Sequence, residues 1–124
     1  MIYLYCIYVM NAYYTTVDQL LTVDVDGDGD LDIVTVETHS GYYSTDGTEL
    51  HVYENTQDDS TGDVGFIDHQ LMSAYYTTVD QLLAVDVDGD GDLDIVTVES
   101  YYGYSELYVY ETTEDSTGAV AFTN

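Results

Sequence analysis

Residues 13–37 read YYTTVDQLLTVDVDGDGDLDIVTVE and residues 75–99 read YYTTVDQLLAVDVDGDGDLDIVTVE, identical but for Thr22 against Ala84. The repeat continues beyond this block. ELHVYENTQDDSTGDVGF from Glu49 corresponds to ELYVYETTEDSTGAVAF from Glu106, after a connection that is shorter in the second copy. Phe66 and Phe122, the chain's two phenylalanines, fall on equivalent positions. The period is 62 residues, so two copies account for nearly all of a 124-residue chain, and neither half has room for an unrelated domain.

Each copy carries the signals of β-structure. Residues 20–25 and 31–36 are rich in Val, Leu, Ile and Thr, hold no helical period for two turns, and flank an Asp/Gly loop. Residues 50–53 and 107–110 alternate aliphatic side chains with His51 and Tyr53, or with Tyr108 and Tyr110. A fourth strand is expected over 64–72, with 120–122 as its truncated counterpart. Four short antiparallel strands per repeat of this size match a propeller blade. The expected fold is therefore all-β, with two four-stranded antiparallel propeller-like blades. Residues 13–74 form the first blade and 75–124 the second, truncated one. Residues 1–12, which include the apolar run MIYLYCIYVM, form an N-terminal strand that completes a blade of a neighbouring subunit. Apolar residues lie on both faces of the first two strands, so each sheet needs a neighbour on either side. Two blades alone leave outer faces uncovered.

The chemistry is concentrated in the loop. Asp24, Asp26, Asp28, Asp30 and Asp32 recur as Asp86, Asp88, Asp90, Asp92 and Asp94, twice spelling D-x-D-x-D-G-x-x-D. Carboxylates at positions 1, 3, 5 and 9, a carbonyl from position 7 and a turn-forming glycine at position 6 can wrap oxygen ligands around one hard cation. Calcium suits such a flexible oxygen set better than magnesium. The glutamate that closes a helix–loop–helix calcium site at position 12 is replaced by Thr35 and Thr97, and the flanks are strands. Carboxylates about 4 Å apart repel by roughly 4 kcal/mol per pair at an effective dielectric near 20. No Lys or Arg exists to offset that repulsion.

Composition narrows the partners. With 25 Asp plus Glu against no Lys or Arg, the formal net charge is −25, which excludes nucleic acid and anionic membrane as partners. Hydrophobic residues make up 45%, enough for a core, so the chain is not a disordered acidic tail. A single cysteine, Cys6, excludes an internal disulfide and a cysteine zinc site, and its apolar surroundings suit a packed thiol. The ten-residue apolar N-terminal run is about half of what a membrane-spanning helix needs. His39, His51 and His69 are not duplicated, His51 being Tyr108 in the second copy, which argues against a repeated catalytic or metal role. No nucleophile-elbow or phosphate-loop pattern is present, and the expectation is a non-enzyme. Fifteen tyrosines suit strand faces and subunit contacts. The pairs Tyr13 and Tyr14, Tyr42 and Tyr43, and Tyr75 and Tyr76, with Tyr101, Tyr102 and Tyr104, are the alternative sugar-stacking platform.

DVDGDGDLDIV, preceded by LLTV and followed by LHVYEN or LYVYET, resembles the FG-GAP or VCBS repeat, the blade unit of integrin-α-like β-propellers. The resemblance covers nearly the whole chain as two tandem repeats. It implies two structural Ca2+ ions. Asp24, Asp26, Asp28 and Asp32 with the Asp30 carbonyl would hold one, and Asp86, Asp88, Asp90 and Asp94 with the Asp92 carbonyl the other. Family propellers usually close with around seven blades in one chain, so two blades point to closure or stacking through other copies. These considerations lead to the expectation of a calcium-stabilised structural or adhesive protein, extracellular or at the cell surface, that self-assembles as the protomer of a filament. The competing expectations are a calcium-dependent glycan-binding module forming a discrete oligomer, and a scaffold fragment of a larger secreted protein.

Overall fold

The computed structural model of the chain describes residues 9–10, 14–41, 44–57 and 60–124. Eight strands follow in order: β1 (Thr15–Val23), β2 (Asp32–Gly41), β3 (Ser44–Asn55), β4 (Phe66–Tyr75), β5 (Thr77–Val85), β6 (Asp94–Tyr101), β7 (Tyr104–Glu114) and β8 (Val120–Thr123). They form two four-stranded sheets, β1-β2-β3-β4 and β5-β6-β7-β8, antiparallel throughout. No helix occurs among the described residues. The N-terminal strand expected over 1–12 lies outside the described residues except at Val9 and Met10, which belong to no strand.

The strands are longer than their apolar runs. β1 starts at Thr15 because Thr15, Thr16 and Val17 already pair with His39, Thr38 and Glu37. It stops at Val23, before Asp24 and Val25 turn into the loop. The register slips by one residue between Val17 and Gln19, and again between Val79 and Gln81. The extra residue in each bulge is an aspartate, Asp18 or Asp80, whose carboxylate accepts a hydroxyl hydrogen bond from Thr38 or Ser100. A bulge re-phases inward and outward positions along a strand, which is why simple alternation fails across VDQLL. β6 and β7 are joined by Tyr102 and Gly103, both at positive φ (46° and 84°), the geometry of a tight two-residue hairpin.

The two sheets are equivalent in sequence but not in burial, and that difference shows how they pack. Leu21 and Val23 of β1 are partly buried against the core, whereas in β5 it is Leu82 and Ala84, the other face, that is covered. Val25 is buried at 1% exposure while its equivalent Val87 stands 53% exposed. Likewise Leu50 is fully buried and its equivalent Leu107 is 69% exposed. The core therefore joins one face of the first sheet, through Val34, Val36, Leu50 and Val52, to the opposite face of the second, through Val79, Ile95 and Tyr110. Hydrogen bonds cross the same junction. Gln19 Nε2 donates to the Val79 carbonyl at 2.6 Å, Thr48 Oγ1 to the Thr77 carbonyl at 2.5 Å, and the Leu93 N–H to the Val25 carbonyl at 3.0 Å.

Ile95 sits in the middle of this junction with no exposure. Ile95→Ala should lower the unfolding free energy by about 2–5 kcal/mol in chemical denaturation. Leu20→Ala, at a site 63% exposed, should change it by less than about 0.5 kcal/mol.

Candidate metal centre

Each loop is shaped by its own aspartates. In the first, the Gly29 N–H donates to Asp24 Oδ2 at 3.0 Å, the Asp28 N–H to Asp26 Oδ1 at 3.2 Å and the Asp30 N–H to Asp28 Oδ1 at 2.8 Å. The second repeats the pattern from Gly91 to Asp86, Asp90 to Asp88 and Asp92 to Asp90, at 3.1, 3.1 and 2.9 Å. Gly27 and Gly29 hold φ of 74° and 100°, and Gly89 and Gly91 hold 82° and 106°, a region that L side chains rarely enter. Glycine at these positions lets the chain curl so that alternate carboxylates point inward.

Position 9 has a different task. Asp32 is 1% exposed; its Oδ2 accepts the Val25 N–H and its Oδ1 the Asn55 N–H, both at 2.8 Å. Asp94 does the same, with the Val87 N–H at 2.8 Å and the Thr112 N–H at 2.9 Å. The residue whose N–H meets this carboxylate, Asn55 of β3 or Thr112 of β7, adds a side-chain bond in each copy. Asn55 Nδ2 donates to the Leu31 carbonyl at 3.2 Å, and Thr112 Oγ1 to the Leu93 carbonyl at 2.7 Å. One buried carboxylate thus closes the loop and fastens it to the third strand. Each carboxylate oxygen keeps a second lone pair, so this role does not exclude metal ligation.

Ligand atoms of Asp24, Asp26 and Asp32 lie within 4.8 Å of one another, and so do those of Asp86, Asp88 and Asp90. The structure thus gathers positions 1, 3 and 9 in the first loop and 1, 3 and 5 in the second. Asp28, Asp30, Asp92 and Asp94 stand outside these two closest groups. Burial pushes the Asp26 carboxyl up to about 7, with the Asp28 and Asp32 charges adding to the rise against the Asp28 N–H. Burial likewise raises the Asp32 carboxyl, opposed by the Asn55 and Val25 N–H groups, and it raises Asp92 together with the Asp90 charge. Asp24 Oδ1 is buried with no hydrogen-bond partner. An orphaned carboxylate oxygen beside crowded acids lacks positive charge, and the all-oxygen donor set fits a hard cation.

A second duplicated feature lies outside the loops and carried no recognised motif. Glu37 is 2% exposed, and its Oε1 accepts the Thr35 hydroxyl at 2.6 Å and the Tyr53 hydroxyl at 2.9 Å. Glu99 takes the Thr97 and Tyr110 hydroxyls at 2.7 and 2.9 Å. Burial and the adjacent glutamate push both tyrosine hydroxyls well above their ordinary range. The exact recurrence of TVE and VYE was the available signal.

The sequence pattern of the FG-GAP-like repeat matches residues 24–97, more than half of the chain, taking in both aspartate loops. The chain belongs to the FG-GAP-like repeat family. Membership marks it as a β-propeller-type module, in keeping with the two four-stranded sheets. No curated protein and no solved structure matches the chain significantly.

Because Asp32 and Asp94 each hold two backbone N–H groups, Asp32→Ala and Asp94→Ala should destabilise the fold even in excess chelator. The expected loss is about 1–3 kcal/mol per donor left unsatisfied. Denaturation midpoints in EDTA check this, and an unchanged midpoint would show that the loops close without these carboxylates.

Proposed function

We propose that the chain is a calcium-stabilised extracellular structural or adhesive protein, and that it self-assembles as the protomer of a filament. The observation that carries this reading is the pair of complementary outer sheet faces, each with exposed apolar residues. Inside the chain, one face of the first sheet packs on the opposite face of the second. The second sheet then presents outward the same apolar set the first one buries, with Leu83, Val87 and Leu107 more than half exposed. The first sheet presents the other set, with Val17 and Leu20 exposed. A second copy can repeat the internal junction between these two faces. Such a contact is heterologous, and repeated without closure it builds a helical fibre.

A further observation supports assembly through copies of the chain. Val9 and Met10 line a cavity with Glu37, His51 and Tyr53 of the first sheet. Leu71 and Met72 of β4, one period later, line the corresponding cavity with Glu99, Tyr108 and Tyr110 of the second. Val9 and Met10 thus stand, over the first sheet, where Leu71 and Met72 stand over the second, which suits completion of a blade between subunits.

Calcium enters as a clip on the β1–β2 and β5–β6 loops rather than as a catalytic centre. With dissociation constants of roughly 0.1–1 mM, typical of extracellular modules, each site adds about 0.4–1.4 kcal/mol at about millimolar free calcium. Cytosolic calcium would leave such sites empty. Stacking protomers of charge −25 also requires neutralising cations. A second reading, a glycan-binding module, draws on the exposed cluster in which Tyr102 meets Tyr76 and Tyr101 at ring separations of 5.8 and 4.5 Å. Tyr13, Tyr42 and Tyr43 of the sequence-level platform lie outside the described residues.

Negative-stain electron microscopy in millimolar calcium should show filaments that fray on chelation. Asp24→Ala with Asp86→Ala should lower thermal stability more in calcium than in chelator, where only the exposed Gly29 and Gly91 N–H bonds to these carboxylates are lost. Leu107→Glu should leave a folded protomer that no longer assembles. Discrete particles under all conditions, combined with saturable sugar binding on a glycan array, would favour the second reading instead.

A further inference from the structure

On the face of the first sheet turned away from the second, the fold brings two imidazoles and three carboxylates together. His39 Nε2 and His51 Nε2 both lie against Glu49 Oε2, at 2.7 and 3.1 Å, and His51 Nδ1 lies 2.7 Å from Asp68 Oδ1. Glu37 stands on the adjacent strand. Ligand atoms of Glu37, Glu49 and His51 lie within 4.8 Å of one another. Glu37 and His51 are buried, at 2% and 7% exposure, and a cavity of about 290 Å3 opens beside them.

We propose that Glu37, Glu49 and His51 form a binding site for a divalent transition ion of the zinc class, separate from the aspartate loops. One imidazole nitrogen with two carboxylate oxygens is a borderline-soft donor set, which suits zinc and its neighbours rather than calcium. Ligand atoms around a tetrahedral zinc stand roughly 3.3–3.5 Å apart, so the three groups need only a modest inward shift. The cavity leaves room for water in the fourth position.

The surroundings hold each ligand in place. Asp68 occupies Nδ1 of His51, which directs Nε2 at the ion, the usual partner arrangement for a metal-bound imidazole. His51 is also stacked on the Tyr53 ring, with centroids 5.7 Å apart and planes 7° from parallel. Glu37 is fixed through Oε1 by the Thr35 and Tyr53 hydroxyls. His39 steadies Glu49 while its own Nδ1 meets the Thr15 hydroxyl at 2.8 Å. On binding, the ion takes the Nε2 lone pair of His51 and any proton held there passes to solvent.

The second sheet is a built-in control. Its equivalent positions are Glu99, Glu106 and Tyr108, which keep both carboxylates and lack the imidazole. The duplication therefore predicts one transition-ion site per chain, against two aspartate loops.

The test titrates the full chain, in millimolar calcium, with cobalt(II) followed by zinc. The expected result is one saturable equivalent of cobalt, seen as tetrahedral visible absorption and displaced by zinc. His51→Tyr, which installs the second sheet's own residue, should weaken zinc at least about tenfold, with folding checked by circular dichroism. Asp68→Asn should weaken it about 10–100-fold by releasing the ring. Asp24→Ala with Asp86→Ala should leave it unchanged, whatever becomes of assembly. Absence of a saturable equivalent would overturn the proposal and leave an ion-pair network. So would zinc affinity that survives His51→Tyr and Glu49→Gln, or that falls with the Asp24 and Asp86 pair.

Discussion

The rest of the structure depends on a buried carboxylate with both oxygens in use. Asp32, and Asp94 after it, accepts one N–H from the start of its loop and another from the end of the third strand. A carboxylate at 1% exposure is costly unless hydrogen-bonded, and two backbone donors meet that requirement without any cation. The bond from position 9 to the loop's start forces the intervening residues into a tight curl, which glycine at positive φ permits. The curl then throws alternate aspartates inward. The bond to the third strand fixes where the loop sits over the sheet, so the acidic cluster and the strand order share one determinant.

The second consequence concerns the sheets' two faces. Residues equivalent in sequence differ most in burial where the junction covers one copy and not the other, as at Val25 and Val87 or at Leu50 and Leu107. The type of residue does not explain that asymmetry, because valine is paired with valine and leucine with leucine. It arises from there being two units and one junction between them. Apolar residues half exposed in one copy are buried in the other because the single junction covers one face of the first sheet and the opposite face of the second.

Much of this was legible in the sequence, for definable reasons. The period, the four strands per unit and the loop's curl follow from the 62-residue recurrence, the β-branched runs and the D-x-D-x-D-G spacing. Strand ends were not legible, because Thr15–Val17 and Thr48–Glu49 are paired through backbone groups that any polar residue supplies. The bulges at Asp18 and Asp80 were hidden for the same reason. Position 9 was legible as an acid but not as the one that holds two backbone N–H groups, since its partners Asn55 and Thr112 differ in the two copies. Nor could spacing reveal that His51 meets Glu37 and Asp68, because those contacts join three strands.

The histidines show how a fold can differentiate identical units. All three sit in the first sheet's half of the chain and each faces a carboxylate: His39 and His51 at Glu49, and His69 at Glu54. In a chain without Lys or Arg these imidazoles are the side chains able to carry positive charge near neutral pH. Placing them on one sheet gives that sheet a means of offsetting buried acids that its neighbour lacks. The second sheet meets the same geometry with tyrosine, keeping the hydroxyl contact to Glu99 through Tyr110 and adding the Tyr108 ring, which stacks on it at 6.3 Å. The two copies thus share one backbone solution while differing in how much charge each can balance internally. The loops, where both copies carry the same unbalanced aspartates, are where an external cation has the most to contribute.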